Sequence, residues 1–261
     1  MRELVLAEYE RIIQRKSTKI LFLISIIFQI INFILFQIRW QIDTAIFKEG
    51  VEVALNSLNY PVMQLIDFNV LLVFVMLPLY FSESLSSELD SGAYKMVLLR
   101  PIKRWKLLVA KWISLATSYG LTLICVYLTK VFIGFMFLPK SRFTTYFLIN
   151  NKLGVVHSII YNLKYYLILF FIYLSILSIT SLLSVVLRKP VLSFLGSSIF
   201  SIVLVYLFEP IFEILFKATD VAYYILAGKY NMINIYVLFS ATIICFVISL
   251  WIWNRRVDKF V

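Results

Sequence analysis

Long uncharged apolar runs constrain this chain more than any other feature. The first run, 20–38, contains no charged residue. As an α-helix it would reach roughly 28 Å, which matches the hydrocarbon core of a bilayer. Hydrophobic residues make up 62% of the 261-residue chain, more than a soluble domain of this size buries. The sequence therefore predicts a polytopic membrane protein of the all-α class.

Six apolar runs have the length of membrane-spanning helices, and we expect them to form one transmembrane domain over residues 1–261. Residues 1–19 place apolar side chains at helical spacing among basic ones, which predicts an interfacial helix before the first span. Short apolar pieces between 209 and 232 are interrupted by charges, so they predict external interfacial or re-entrant helices. The predicted spans are about 20–38, 65–82, 112–138, 165–187, 191–208 and 233–253.

The distribution of basic residues predicts the orientation. The two ends of the chain, the loop 83–111 and the turn 188–189 carry 16 of the 25 Lys and Arg residues. The positive-inside rule places such segments in the cytoplasm. We therefore expect a multi-pass protein of a bacterial cell membrane with both termini cytoplasmic. The net charge of +11 then faces the anionic headgroups of the lipid bilayer, and no nucleic-acid partner is expected.

Four polar residues within or beside the predicted spans allow two interpretations each. Gln29 and Asn32 lie one helical turn apart in the first span, where they either contact a neighbouring helix or line a substrate path. Lys130 interrupts the third span and either extends to the headgroups as an anchor or lines a cavity. Asp67 marks either the outer headgroup level or a polar cavity.

Catalytic chemistry has little support in the sequence. The chain has one His and two Cys, with no metal-ligand spacing, so we expect no metal site and no catalytic residue. Its glycines are too far apart to form a phosphate-binding loop, and the centres of the spans carry no carboxylate for proton coupling. We therefore expect a chain that is not an enzyme and holds no cofactor, so that any transport would take its energy from another protein.

The segment 88–111 reads ELDSGAYKMVLLRPIKRWKLLVAK. In its order of motifs it resembles the first cytoplasmic loop of ABC-2 type permeases. That loop has an acidic-Ser-Gly-Thr start, a short apolar helix, an Arg-Pro-Val-Ser-Arg-like turn and a Lys that opens the third span. The departures are Ala93, where the family often has Thr, and Lys103, where it often has Ser.

The resemblance implies the transmembrane permease subunit of an ABC exporter that moves an amphipathic peptide (such as an antimicrobial peptide), a drug or a lipid-like substrate out of the cell. Separate cytoplasmic ABC ATPase subunits would bind ATP and Mg and dock on a coupling helix between spans two and three. A second permease chain, identical or a sibling, would complete the path. Lys103, Arg104, Lys106 and Lys111 would anchor the third span at the headgroups. The implied ATPase-coupling residues are Glu88, Asp90, Gly92, Tyr94, Lys95, Leu98, Arg100 and Pro101.

Two other functions use the same predicted architecture. One is an immunity or self-resistance permease that protects its host from a membrane-active peptide. The other is a membrane scaffold or sensor that shares the fold and transports nothing. Association with an ATPase would separate both permease functions from the scaffold.

Overall fold

Helices account for most of the described chain, and each predicted span overlaps a helix over most of its length. The computed structural model describes residues 1–47, 50–92, 103–207 and 213–257. The described strands pair into two short antiparallel hairpins, β1 (Thr44–Ile46) with β2 (Glu52–Ala54) and β3 (Phe143–Tyr146) with β4 (Ile149–Gly154). The helices are α1 (Arg2–Gln14), α2 (Lys16–Arg39), α3 (Ile66–Asp90), α4 (Arg104–Phe137), α5 (Val155–Leu187), α6 (Pro190–Leu207), α7 (Glu213–Phe216), α8 (Ala218–Leu226) and α9 (Met232–Val257).

Within the described residues, five helices are long and apolar enough to cross a membrane, namely α2, α3, α4, α5 and α9. Their outward faces carry large exposed apolar side chains, such as Leu128 of α4 and Ile243 of α9, as lipid-facing surfaces do. Apart from the hairpins, the chain is therefore a helical membrane protein.

Several helices extend beyond the predicted spans. Helix α3, which holds the second predicted span, continues to Asp90 instead of ending near 82. Helix α4, which holds the third, starts at Arg104 instead of 112, and α5, which holds the fourth, starts at Val155 instead of 165. Apolar runs mark only the part of a helix that needs lipid. The polar extensions remain helical because they pack against other parts of the same chain. At the chain start, α1 is the helix predicted there.

The interior of the bundle is built around α3 and α5. Of the most apolar stretch of each, 67% is buried inside the protein, against 17% for α9. Helix α5 packs against α3, α4, α6, α8 and α9. Periodicity cannot distinguish such a central helix from a lipid-facing one, because both are apolar around their whole circumference.

Helix α3 alternates between α-helical and π-helical turns, with π segments at Leu72–Met76 and Ser82–Ser86. Pro78 lies between them and has no N–H to donate to the carbonyl of Phe74, four residues earlier. The hydroxyl of Ser198 on α6 donates to that carbonyl at 2.8 Å. A neighbouring helix thus supplies the hydrogen bond that the proline removes, which links α3 to α6.

The end of the bundle where α2 and α4 finish is covered by a structure that we call the cap: the segment 55–65, both hairpins and α8. Tyrosine hydroxyls hold it together by donating to backbone carbonyls. Tyr166 donates to Pro61 at 2.8 Å and Tyr223 donates to Val62 at 2.7 Å. Since the segment 55–65 has little regular structure, these side-chain bonds satisfy carbonyls that no helix or sheet pairs.

Candidate functional site

The loop that resembles an ABC-2 coupling loop begins at the end of α3. Glu88 and Asp90 belong to the last turn of that helix, and Gly92 follows with φ +68°. This left-handed conformation is one that glycine adopts without strain and that commonly ends helices. Five of the predicted coupling residues lie outside the described part of the chain: Tyr94, Lys95, Leu98, Arg100 and Pro101.

Glu88 does not face outward from the loop. It is only 6% exposed and forms ion pairs with three basic side chains from other parts of the chain. Its Oε1 lies 2.8 Å from Nη2 of Arg15 and 3.1 Å from Nη1 of Arg11. Its Oε2 lies 2.6 Å from Nζ of Lys111. Asp90, by contrast, is exposed.

A second carboxylate, Glu8, completes the group. Its Oε2 lies 2.9 Å from Nζ of Lys111, and its Oε1 lies 3.3 Å from Nη1 of Arg11. We call Glu8, Arg11, Arg15, Glu88 and Lys111 the ionic cluster. Two carboxylates and three cations from α1, the α1–α2 junction, α3 and α4 thus meet at the base of the loop.

The amphipathic pattern of α1 explains how it reaches this position. Glu8 and Arg11 lie one turn apart on the same face as Ile12, which is 1% exposed. Ser114 of α4 donates from its hydroxyl to the carbonyl of Val5 at 2.9 Å. Helix α1 therefore uses its charged face to pack against the start of α4.

Burial makes the ionic cluster energetically sensitive. Taking a single charge out of water costs several kcal/mol, and pairing recovers that cost only while every partner is in place. Glu88 and Lys111 are nearly inaccessible, so losing either one leaves the remaining charges of the cluster unbalanced in a site that water hardly reaches. The elements that contribute to the cluster are therefore expected to move together.

The end of α9 meets the start of α4 at the same end of the molecule. The indole N–H of Trp253 donates to the carbonyl of Arg104 at 3.1 Å. Helix α9 is thus also linked to the start of α4.

Lys111 departs from its sequence interpretation. We expected it at the headgroups, but it is 2% exposed and pairs with both carboxylates of the ionic cluster. The sequence motif marked its position and could not reveal its partners. Glu8, Arg11 and Arg15 were not predicted as site residues. The one sequence signal for them is an acidic residue at helical spacing from two arginines.

Lys130 lies at the other end of the bundle, inside the protein. It is 1% exposed, and its Nζ donates to the carbonyls of Met63 at 2.6 Å and Gln64 at 3.3 Å. The ammonium also lies 5.0 Å from the centre of the Tyr60 ring. This position does not fit an interfacial anchor, because the side chain points into the cap instead of toward headgroups.

Gln29 and Asn32 are buried in α2, as their polarity within a span led us to expect. Gln29 is fully buried, and neither atom of its amide group has a hydrogen-bond partner among the described residues. The amide nitrogen of Asn32 likewise has none there. The substrate-path interpretation of Gln29, Asn32 and Lys130 stays a prediction. In the described ranges no three or more His, Cys, Asp or Glu side chains lie together in a group that could hold a metal ion.

Comparison with known proteins gives a family without an assigned activity. A family model with the description "Protein of unknown function (DUF2705)" matches residues 20–257. The chain belongs to this family. The match begins after α1 and so leaves out three side chains of the ionic cluster. No curated protein matches the chain, and no solved structure does.

Proposed function

We propose that this DUF2705 protein is the transmembrane permease subunit of an ATP-driven ABC exporter. Separate cytoplasmic ATPase subunits dock on the loop between α3 and α4, and a second permease chain completes the path. The cargo is an amphipathic peptide, a drug or a lipid-like molecule. The ordered motif in 88–111 supports this proposal, because it resembles the ABC-2 coupling loop in its acidic start, its apolar middle and its Arg-Pro turn.

The proposal includes six membrane spans with cytoplasmic termini. Helix α6 is the span that we add to the five long apolar helices. Pro190–Leu207 is 18 residues long and would extend about 27 Å at the rise of an α-helix. Its apolar side chains, among them Val191 and Ile199, are largely exposed to the surroundings of the bundle. An even number of spans places α1 and the end of α9 on one side, where basic residues are concentrated.

The observation that carries the proposal is the ionic cluster at the base of the loop. A coupling loop must pass movement from the ATPase to the spans. The cluster links the end of α3 and the start of α4 to α1 through ion pairs of 2.6–3.3 Å, in which Glu88 and Lys111 are buried. A push on the loop would therefore move α1, α3 and α4 as one body, as rigid-body switching requires. In this role Glu88 holds the loop base together, and the residues beyond Gly92 contact the ATPase.

A co-purification experiment tests the docking. The full chain is co-expressed with candidate ABC ATPase subunits from the same genome, and ATPase recovery and activity are measured. We expect the double variant Tyr94→Asp plus Leu98→Asp to lose the ATPase, because carboxylates would replace the apolar contacts of the docking helix. Ile46→Asp, an exposed apolar position in the cap, is the control and should retain it. Failure of the unmodified chain to recover the ATPase would overturn the proposal.

Topology has a separate test. A cysteine placed at Ser91, in a chain without its two native cysteines, should resist an impermeant thiol reagent added to intact cells. It should react after permeabilisation. A cysteine at Lys140, an exposed residue beyond the end of α4, is the matched external control and should react in both cases. Labelling of position 91 in intact cells would contradict the cytoplasmic placement of the loop.

A further inference from the structure

A groove of about 300 Å³ lies between α4 and α5 on the outer surface of the bundle. Leu123 and Ile124 of α4 form one side, and Leu163 and Leu167 of α5 form the other. None of the described lining residues carries a charge. Ile124, Leu163 and Leu167 are each more than half exposed. Since both helices are long and apolar enough to cross a membrane, the groove opens toward the acyl chains of the bilayer.

Close packing fixes the walls of the groove. A Cβ atom at Gly120 would lie 3.2 Å from Cε2 of Phe170, so a larger residue at position 120 would crowd this wall. The ring of Phe170 stacks on that of Tyr119, with the two centres 5.5 Å apart. The hydroxyl of Tyr166 donates to the carbonyl of Pro61 at 2.8 Å. The groove is therefore preformed, and an occupant does not have to order its walls.

The end of the groove nearer the cap carries a polar group. The ring centres of Tyr127 and Tyr166 lie 5.2 Å apart, so the two residues mark the same level on α4 and α5. Tyr127 is half-buried, and its hydroxyl donates to no acceptor among the described residues. Gly120 is seven residues away, so the groove follows about 10 Å of α4. Tyrosine hydroxyls at the end of a span typically lie at the level of the lipid headgroups.

A basic side chain lies beside the same end. Lys164 is exposed and forms no ion pair with a described residue. It follows Leu163 and lies one turn before Leu167, so it borders the lining on the surface of α5. It is two residues, or about 3 Å along the helix axis, from Tyr166, and it directly precedes the predicted span 165–187. A lysine at this level favours the phosphate of a lipid.

We propose that the groove binds one phospholipid from the leaflet on the cap side. An acyl chain lies along the groove, the phosphate pairs with Lys164, and the Tyr127 hydroxyl donates to an oxygen of the ester or phosphate group. Charge complementarity selects this occupant, because a phospholipid carries an apolar chain and an anion at the required spacing in one molecule. The site goes beyond the proposed export function and does not depend on it, since the lipid is a resident ligand and needs no ATPase.

Native mass spectrometry of the delipidated full chain in detergent counts bound molecules directly. The chain is titrated with dioctanoylphosphatidylglycerol. Dioctanoylglycerol has the same chains and no phosphate, and glycerophosphoglycerol has the headgroup and no chains. We expect one saturable site for the phospholipid, about fivefold weaker binding of dioctanoylglycerol and no binding of glycerophosphoglycerol at the same concentrations. Equal affinity of the two lipids, or adducts that increase without saturation, would overturn the proposal.

Two pairs of variants locate the site. Ile124→Trp places a large ring in the groove and should weaken binding of both lipids by about tenfold. Leu128→Trp, one turn further along α4, exposed and outside the lining, is its control. Lys164→Gln should weaken binding of the phospholipid by about fivefold and leave dioctanoylglycerol unchanged. Lys152→Gln, exposed on β4, should change neither. Because all four positions are exposed, the variants are expected to fold, and their thermal midpoints check this.

The same spectra distinguish the lipid from a second copy of the chain. Unchanged lipid binding in Ile124→Trp, or an equal loss in Leu128→Trp, would place the lipid elsewhere and contradict the proposal. A change from dimer to monomer in Ile124→Trp with the lipid still bound would mean that another chain covers the groove, and the proposal would be wrong.

Discussion

The two ends of the bundle are held together by different chemistry. At the base of the loop, charged side chains from α1, α3 and α4 pair with one another in the ionic cluster. In the cap, mostly neutral hydroxyl and amide groups donate to backbone carbonyls, and aromatic rings pack around them. Each ion pair depends on the others, whereas each tyrosine bond stands largely alone.

This difference predicts different responses to single changes. Removing one charge from the ionic cluster changes the balance of charge for all of its members at once, because they share partners. Removing one hydroxyl from the cap leaves one carbonyl without a donor. The first arrangement suits an element that transmits movement between helices, and the second suits a rigid cover over the ends of α2 and α4.

The largest expected effect is that of Glu88→Gln. It leaves Arg11, Arg15 and Lys111 with Glu8 as their remaining carboxylate, and we expect a loss of about 3–5 kcal/mol in stability. The midpoint of thermal unfolding in detergent measures it. Asp90→Asn, two residues away and exposed, is the control and should lie close to the unmodified protein. A Glu88→Gln variant as stable as this control would show that the cluster does not act as a unit.

Lys130→Met tests the buried Lys130 ammonium, which is bonded to cap carbonyls. The carbonyls of Met63 and Gln64 lose their donor, and we expect a cost of about 1–3 kcal/mol, smaller than that of Glu88→Gln because no opposite charge is left in direct contact. Thermal unfolding is again the measurement. Lys140→Met, exposed at the same end of the molecule, should change little. A cost equal to that of Glu88→Gln would remove the contrast between the two ends.

Tyr146→Phe is expected to have the smallest effect. The Tyr146 hydroxyl bonds to Asn162 at 3.0 Å and to the carbonyl of Leu58 at 3.2 Å, and the amide of Asn162 also donates to that carbonyl at 2.9 Å. Because Leu58 keeps this second donor, we expect a loss of about 1 kcal/mol. Burial raises the pKa of the Tyr146 phenol, so the unmodified protein should keep this bond in alkaline buffer.

Two measurements check the Tyr146 prediction. The thermal midpoint gives the stability, and Tyr236→Phe, on an exposed residue of α9, is the control. Because burial raises the pKa of this phenol in the folded protein, it ionises first in the unfolded chain. The stability advantage of the unmodified protein over Tyr146→Phe should therefore stay constant below the ordinary pKa of tyrosine and shrink as the pH rises above it. An advantage that stays constant across that pKa would mean that burial does not raise the pKa of the Tyr146 phenol.

The sequence was a good guide wherever a property is local. Each predicted span overlaps a helix of the structure over most of its length. It was a poorer guide to helix ends, because Ser87–Asp90 and the start of α4 are polar and become helical through contacts with α1. Lys130 shows the same limit: its depth in the third span could be read from the sequence, but the carbonyls of Met63 and Gln64 that bind it could not.

The sequence by itself determined that this is a helical membrane protein, where its long apolar helices lie and which loop is dense in charge, because hydrophobicity and charge belong to short stretches of chain. The tertiary structure decided that Glu8 pairs with Lys111, 103 residues away, and that Asp67, Thr219 and Tyr223 line one cavity. Burial makes such long-range pairing necessary, because a charged or polar group removed from water must find its partner within the fold, however distant that partner is in the chain.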